Sequence, residues 1–212
     1  MDNYVITIAR GYGSGGKQIG KKLAESLSIR MIDRELLQMA SVESGISEEL
    51  FTLADEKLNK KNLSFAGNIR KYTGSILRPE DEEFVSDENL FNFQARILVF
   101  LASRESFVVI GRAADYVLKD FPNVLSVSIQ APYEDCVRSI VLRAMLEEKE
   151  AEKAVKKIDK YRSDFYKYYT GRDWKDTANY DLCLNSSRLG RDKCAEAIKA
   201  CARLKFSHIN IG

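Results

Sequence analysis

The chain has 212 residues, 45% of them hydrophobic, with 33 Lys and Arg against 31 Asp and Glu. That length is sufficient for one well-packed domain, and a net charge of +2 is too mild to point to a nucleic-acid partner. Only 3 prolines and 12 glycines argue against a low-complexity chain, and no apolar run is long enough to span a bilayer.

The N-terminus runs directly into YVITIA, residues 4–9, with no basic leader before it, so a cytoplasmic protein is expected. This short β-rich run ends at glycines and suits a buried parallel strand. GKQIGKKLAESL follows with Ile19, Leu23 and Leu27 at helical spacing. IRMID, residues 29–33, is a second short strand, and Asp33 is placed to cap the helix RELLQMAS. Ser47 opens another helical stretch, EELFTLADEKL. Residues 60–86 are polar and lack a clear period, which predicts a mobile lobe.

Asp87 is expected to cap a long helix with Leu90, Phe93, Ile97, Leu98 and Leu101 on one face. SFVVIGR, residues 106–112, and NVLSVSIQA, residues 123–131, are buried strands. The charged stretch from Tyr133 to Tyr169 reads as helical throughout. YDLCLN, residues 180–185, is the final strand, before a helix from Leu189 to about Leu204. Strands alternating with helices imply an α/β fold, a parallel sheet covered on both faces. The four cysteines form no C-x-x-C pair and His208 is the single histidine, so free thiols are expected rather than a zinc site.

The stretch GYGSGGKQ, Gly11 to Gln18, fits two phosphate-binding templates. Gly11, Gly13 and Gly16 spell the dinucleotide turn, and Asp33 lies where a ribose-binding acid belongs. Gly11, Gly16 and Lys17 spell a P-loop without its final Ser or Thr. Lys17 favours the P-loop, because a lysine directly after the last glycine reaches the β and γ oxygens of a nucleotide. Gly13, Ser14 and Gly15 complete the cradle. Gln18 stands where a hydroxyl would bind Mg²⁺, so its amide oxygen is the candidate ligand, with Asp33 as a water-mediated second.

Two further groups carry chemistry. Gly111-Arg112 ends a buried strand at the carboxyl edge, where an arginine can grip a phosphate with two hydrogen bonds. Asp159 and Arg162, in IDKYRSDFYKYYTGRDW, share a helix face, although charge pattern alone reads this stretch as a solvated surface.

With these motifs the chain resembles the cytidylate kinase-like family of P-loop proteins and, more distantly, bacterial cytidylate kinases. The likeness rests on ARGYGSGGKQIGKKLAESL, GRAADYVL, FPNVLSVSIQAP, and IDKYRSDFYKYYTGRDW followed by NYDLCLNSS. It implies a nucleoside monophosphate kinase-like fold: a five-stranded parallel sheet, an inserted acceptor-binding lobe at 42–86 and a lid at 148–178, all within one domain spanning 1–212. It also implies ATP and Mg²⁺ as cofactors and phosphoryl transfer to a small acceptor, foremost a nucleoside monophosphate such as CMP. Lys17 would hold the β/γ-phosphates, Arg112 the acceptor phosphate and Arg162 the transferring group, with Asp159 as its partner. The sequence departs from cytidylate kinases at Arg34, Glu35, Met39, Ala113 and Cys136. Those departures keep open a nucleotide sensor that transfers nothing and a kinase of another metabolite.

Overall fold

The computed structural model describes residues 3–56, 74–209 and 211. Of the lobe expected at 42–86, residues 57–73 lie outside the described residues. The sheet has the order β2-β3-β1-β4-β5 and every pairing is parallel. Its strands are β1 (Val5–Arg10), β2 (Arg30–Ile32), β3 (Phe107–Ile110), β4 (Val124–Gln130) and β5 (Leu182–Asn185). The helices between them are α1 (Gly16–Ser26), α2 (Glu35–Ser44), α3 (Glu48–Glu56), α4 (Asp87–Ala102), α5 (Ala114–Val117), α6 (Tyr133–Ala144), α7 (Glu148–Thr170), α8 (Ser186–Leu189) and α9 (Arg191–Lys205).

Side chains alternate across the pleat, so each strand feeds two cores. Ile6, Ile8, Val108, Ile110, Leu125 and Val127 face α1 and α9, where they meet Ile19, Leu23, Cys194 and Ile198. Val5, Ala9, Phe107 and Val109 face the opposite layer, with Leu36, Phe51, Phe91 and Leu98. Burial on both faces is why the strands read as continuous apolar runs. Among the described residues no helix is long and apolar enough to cross a membrane.

Three local expectations are corrected. The cap of α4 is Ser86, whose hydroxyl accepts from the Asn89 amide, and Asp87 is the first helical residue. Asp33 does not cap α2, since Arg34 holds that position without a side-chain bond and the Asp33 carboxylate turns to Lys17. The long helix expected from Tyr133 breaks at Met145, a non-glycine residue at φ 53°. Strong helix formers surround that break, so propensity favours continuity. The break lets α7 fold back on α6, and Val137 and Ile140 are buried against Ala151 and Val155. Buried tertiary contact overrides local preference here.

The tyrosines of α7 are structural anchors. The Tyr169 ring stacks on Phe91 at 3.9 Å and its hydroxyl donates to the Asp87 carbonyl at 3.1 Å. The Tyr166 hydroxyl donates to the Asp115 carboxylate at 2.6 Å, and burial pushes that carboxyl up to about 6 despite the favourable hydrogen bond. An unfolded Asp titrates at about 3.9, so the folded state binds more protons between the two values. Stability should therefore fall as pH rises from about 4 to about 6, by about 2–3 kcal/mol from this group. Asp115→Asn should flatten that slope, which chemical denaturation at pH 4.5, 5.5 and 7 will read. Parallel slopes for the two proteins would remove Asp115 as the cause.

Candidate functional site

All five strands deliver their carboxyl ends to one edge, and β1 at the centre of the sheet opens into the glycine loop. Gly13 and Gly15 adopt φ of 92° and 80°, turning the chain sharply into α1. A Cβ on Gly13 would lie 2.5 Å from the Cys136 carbonyl oxygen, so the loop rests directly on the first turn of α6. The first amides of α1 have no partner within the helix, and its positive end faces the loop. Ser14 Oγ donates to the Gly11 carbonyl at 2.8 Å, which closes the turn.

Lys17 Nζ pairs with Asp33 Oδ2 at 2.6 Å, joining the loop to the end of β2. The lysine side chain remains 59% exposed, whereas Asp33 is 17% exposed. The acid that a dinucleotide fold would give to a ribose is here the counter-ion of the loop lysine.

Asp159 and Arg162 reach the same loop from α7. Asp159 Oδ1 accepts from the Tyr12 amide at 2.7 Å, and Arg162 Nη1 donates to the Arg10 carbonyl at 3.0 Å. The two side chains lie 3.7 Å apart. Burial raises the Asp159 pKa and lowers that of Arg162, and the mutual attraction only partly offsets it. Both charges are thus held where water is scarce, a setting that strengthens any contact with an incoming anion. The solvated-helix expectation fits the exposed Lys153, Lys156, Lys157 and Lys160. Arg162 is turned inward instead.

Arg112 lies in a turn of three consecutive left-handed residues, Gly111, Arg112 and Ala113, at φ 74°, 62° and 49°. The turn sits at the end of β3, beside β1, and the Arg10 guanidinium packs against the Gly111 Cα. Two non-glycine residues in this region carry backbone strain, which accumulates at functional turns. The structure places Arg112 on the loop's edge of the sheet, one strand away.

Three further residues at the site, Tyr12, Arg143 and Ser186, were not expected. Tyr12 lies beneath both Arg143 and Arg162, each guanidinium carbon 5.6 Å from its ring centroid. Gln18, with its amide turned to satisfy both neighbours, donates to the Gly15 carbonyl at 3.1 Å and accepts from Arg143 Nη1 at 3.0 Å. Ser186, after β5, donates to the Ser14 carbonyl at 2.6 Å and buttresses the loop from below. Its position in NSS at a strand end is a sequence signal for such a role. Arg143 has none, because it meets Gln18 and Tyr12 only through tertiary packing.

A glycine loop between a central parallel strand and a helix, with a lysine at the helix start, defines the P-loop kinase architecture. The chain belongs to the cytidylate kinase-like family, whose family model matches residues 5–188. An uncharacterized protein from Eubacterium ventriosum is similar in structure, with a TM-score of 0.68, 25% identity, and coverage of 94% of this chain and 98% of the other. A protein from Thermus thermophilus matches at TM-score 0.53 and 16% identity, over 96% of this chain and 99% of the other. Shikimate kinase from Bacteroides thetaiotaomicron matches at TM-score 0.52 and 13% identity, over 93% and 97%. No curated protein matches the sequence. Family and fold together support phosphotransfer as the general chemistry.

Proposed function

We propose that the protein transfers the γ-phosphoryl group of ATP to a small acceptor, foremost a nucleoside monophosphate such as CMP. The observation that carries this reading is the convergence of Lys17, the loop amides and the inward Arg162 at one sheet edge. In phosphoryl transfer the protein mainly positions two substrates and neutralises charge in a site closed to water. Lys17 and the loop amides would hold the nucleotide phosphates. Arg162, a donor held over the loop, would meet the charge that develops on the transferring group. Arg112 would hold the acceptor phosphate from the neighbouring strand end, with residues 42–86 as the acceptor-binding lobe and 148–178 as the lid.

The test is turnover with ATP against a panel of monophosphates, with calorimetry on wild type and Lys17→Ala. Transfer to at least one monophosphate is expected. Loss of a charge-assisted contact should weaken ATP binding by roughly tenfold or more. Equal ATP binding by the two proteins, or NADH binding as tight as ATP, would overturn the nucleotide assignment.

A nucleotide sensor without transfer is the second reading, favoured by the engagement of Gln18 by Arg143. ATP binding without transfer to any acceptor would select it.

A further inference from the structure

Position 18 follows the loop lysine, where P-loop kinases place a hydroxyl on Mg²⁺. Here the Gln18 amide oxygen is covered by the Arg143 guanidinium at 3.0 Å, and the other candidate ligand, Asp33, is covered by Lys17 at 2.6 Å. An ion held by these two residues would be set against both cations, with Arg162 near enough to Arg143 to be perturbed by its charge. The residues present do not fit a protein-held Mg²⁺.

We propose that Arg143 is a phosphate-binding residue of the loop, supplying at position 18 the positive charge that a metal ligand would otherwise bring. The loop then holds a triphosphate equally well with or without a divalent cation. The inference rests on the loop being the nucleotide site.

Three observations support it. Arg143 is exposed in the last turn of α6, and a guanidinium fork keeps further N–H donors beyond the one given to Gln18. The left-handed Met145 ends α6 directly after this turn, and Arg143 Nη1 reaches Gln18 in the first turn of α1. Arg143 and Arg162 both lie against the Tyr12 ring, at 5.6 Å each. Two guanidinium groups sharing one small aromatic support repel one another, and burial already works against the charge on Arg162. An anion bound beside the Arg143 fork offsets this repulsion, and the planar fork suits phosphate.

The experiment is a titration of ATP, and separately of inorganic tripolyphosphate, into wild type, Arg143→Gln, Arg143→Lys and Lys17→Ala, in Mg²⁺ and in EDTA. Wild-type affinity for both probes should change less than about threefold on chelation, while Arg143→Gln should lose about tenfold in both buffers. Arg143→Lys, which keeps the charge but not the fork, should fall between them. Arg143→Gln binding like wild type in EDTA, or a wild-type loss of about tenfold on chelation, would overturn the proposal. A thermal melt accompanies each titration. A lower melting temperature with unchanged affinity would make Arg143 a clamp between α6 and the loop, and the proposal would fall. Weakened binding in Lys17→Ala alone overturns the Arg143 role and leaves the nucleotide site standing. Failure of wild type to bind either probe overturns both.

Discussion

Gly13→Ala should abolish most nucleotide binding while leaving the fold intact. Gly13 sits at φ 92°, outside the range that an L side chain occupies comfortably. The added methyl would also lie 2.5 Å from the Cys136 carbonyl oxygen and 2.8 Å from its Cα. Both neighbours are helix backbone, so neither can swing aside as a flexible side chain would. The loop must move, and with it the amides that face the phosphates. Left-handed strain of roughly 1–3 kcal/mol plus overpacking of roughly 1–3 kcal/mol exceeds what a short loop can absorb without changing shape. Affinity for ATP should fall roughly 100-fold, the equivalent of about 3 kcal/mol. The melting temperature should fall by at least the few degrees that the strain alone costs, with folding still cooperative, because the loop can yield without opening either core. Gly45→Ala isolates the strain term: that residue also has positive φ, at 73°, but nothing lies within 4 Å of its Cβ position. It should cost about 1 kcal/mol, or about 2–4 °C for a domain of this size, and spare nucleotide binding. ATP binding by Gly13→Ala at wild-type strength would mean that the contact with α6 does not shape the cradle.

Strands and glycine loop were legible because their signals are local. Ile6, Ile8, Val108 and Ile110 belong to short apolar runs bounded by polar or glycine residues, and all lie on the sheet face that α1 covers. Lys17 was legible for the same reason, since the loop template fixes its place relative to the glycines. Caps were less so: Ser86 and Asp87 are adjacent and both favour capping, and only the backbone at Ser86, extended at ψ 152°, separates them. Asp33 illustrates a different limit. Its position predicts a cap, a ribose acid and a metal ligand, and its ion pair with Lys17 is decided by where β2 ends beside the loop. Tyr12, Arg143 and Ser186 needed the tertiary fold, because each acts across a gap in sequence that no spacing rule spans. The orientation of α7 was hidden by its own composition. Its lysines describe the outer face correctly and say nothing of the single arginine turned the other way.

That arginine carries the sharpest division between enzyme and sensor. Arg162→Ala should lower kcat by about 10³-fold and leave ATP affinity within about threefold of wild type. A charged donor aimed at the transferring group acts mainly in the transition state, where the extra charge develops, and so belongs in kcat rather than in binding. Arginines in this role in other phosphoryl-transfer enzymes are worth about 10³–10⁵ in rate. In the structure the Arg162 side chain is only 21% exposed, and its Nη1 holds the Arg10 carbonyl at the mouth of the loop. Burial disfavours its charge, so a phosphate brought beside it gains a poorly solvated partner. Asp159→Asn should be milder, about tenfold, because its amide oxygen can still accept from the Tyr12 amide while the attraction that orients Arg162 is lost. Steady-state kinetics on the acceptor that wild type uses best, with ATP binding measured separately, checks both. If Arg162→Ala turns over like wild type, the inward arginine is a staple between α7 and the loop, and the transfer role falls. If instead kcat and ATP affinity fall together, Arg162 binds the nucleotide in its ground state and does not act selectively on the transferring group.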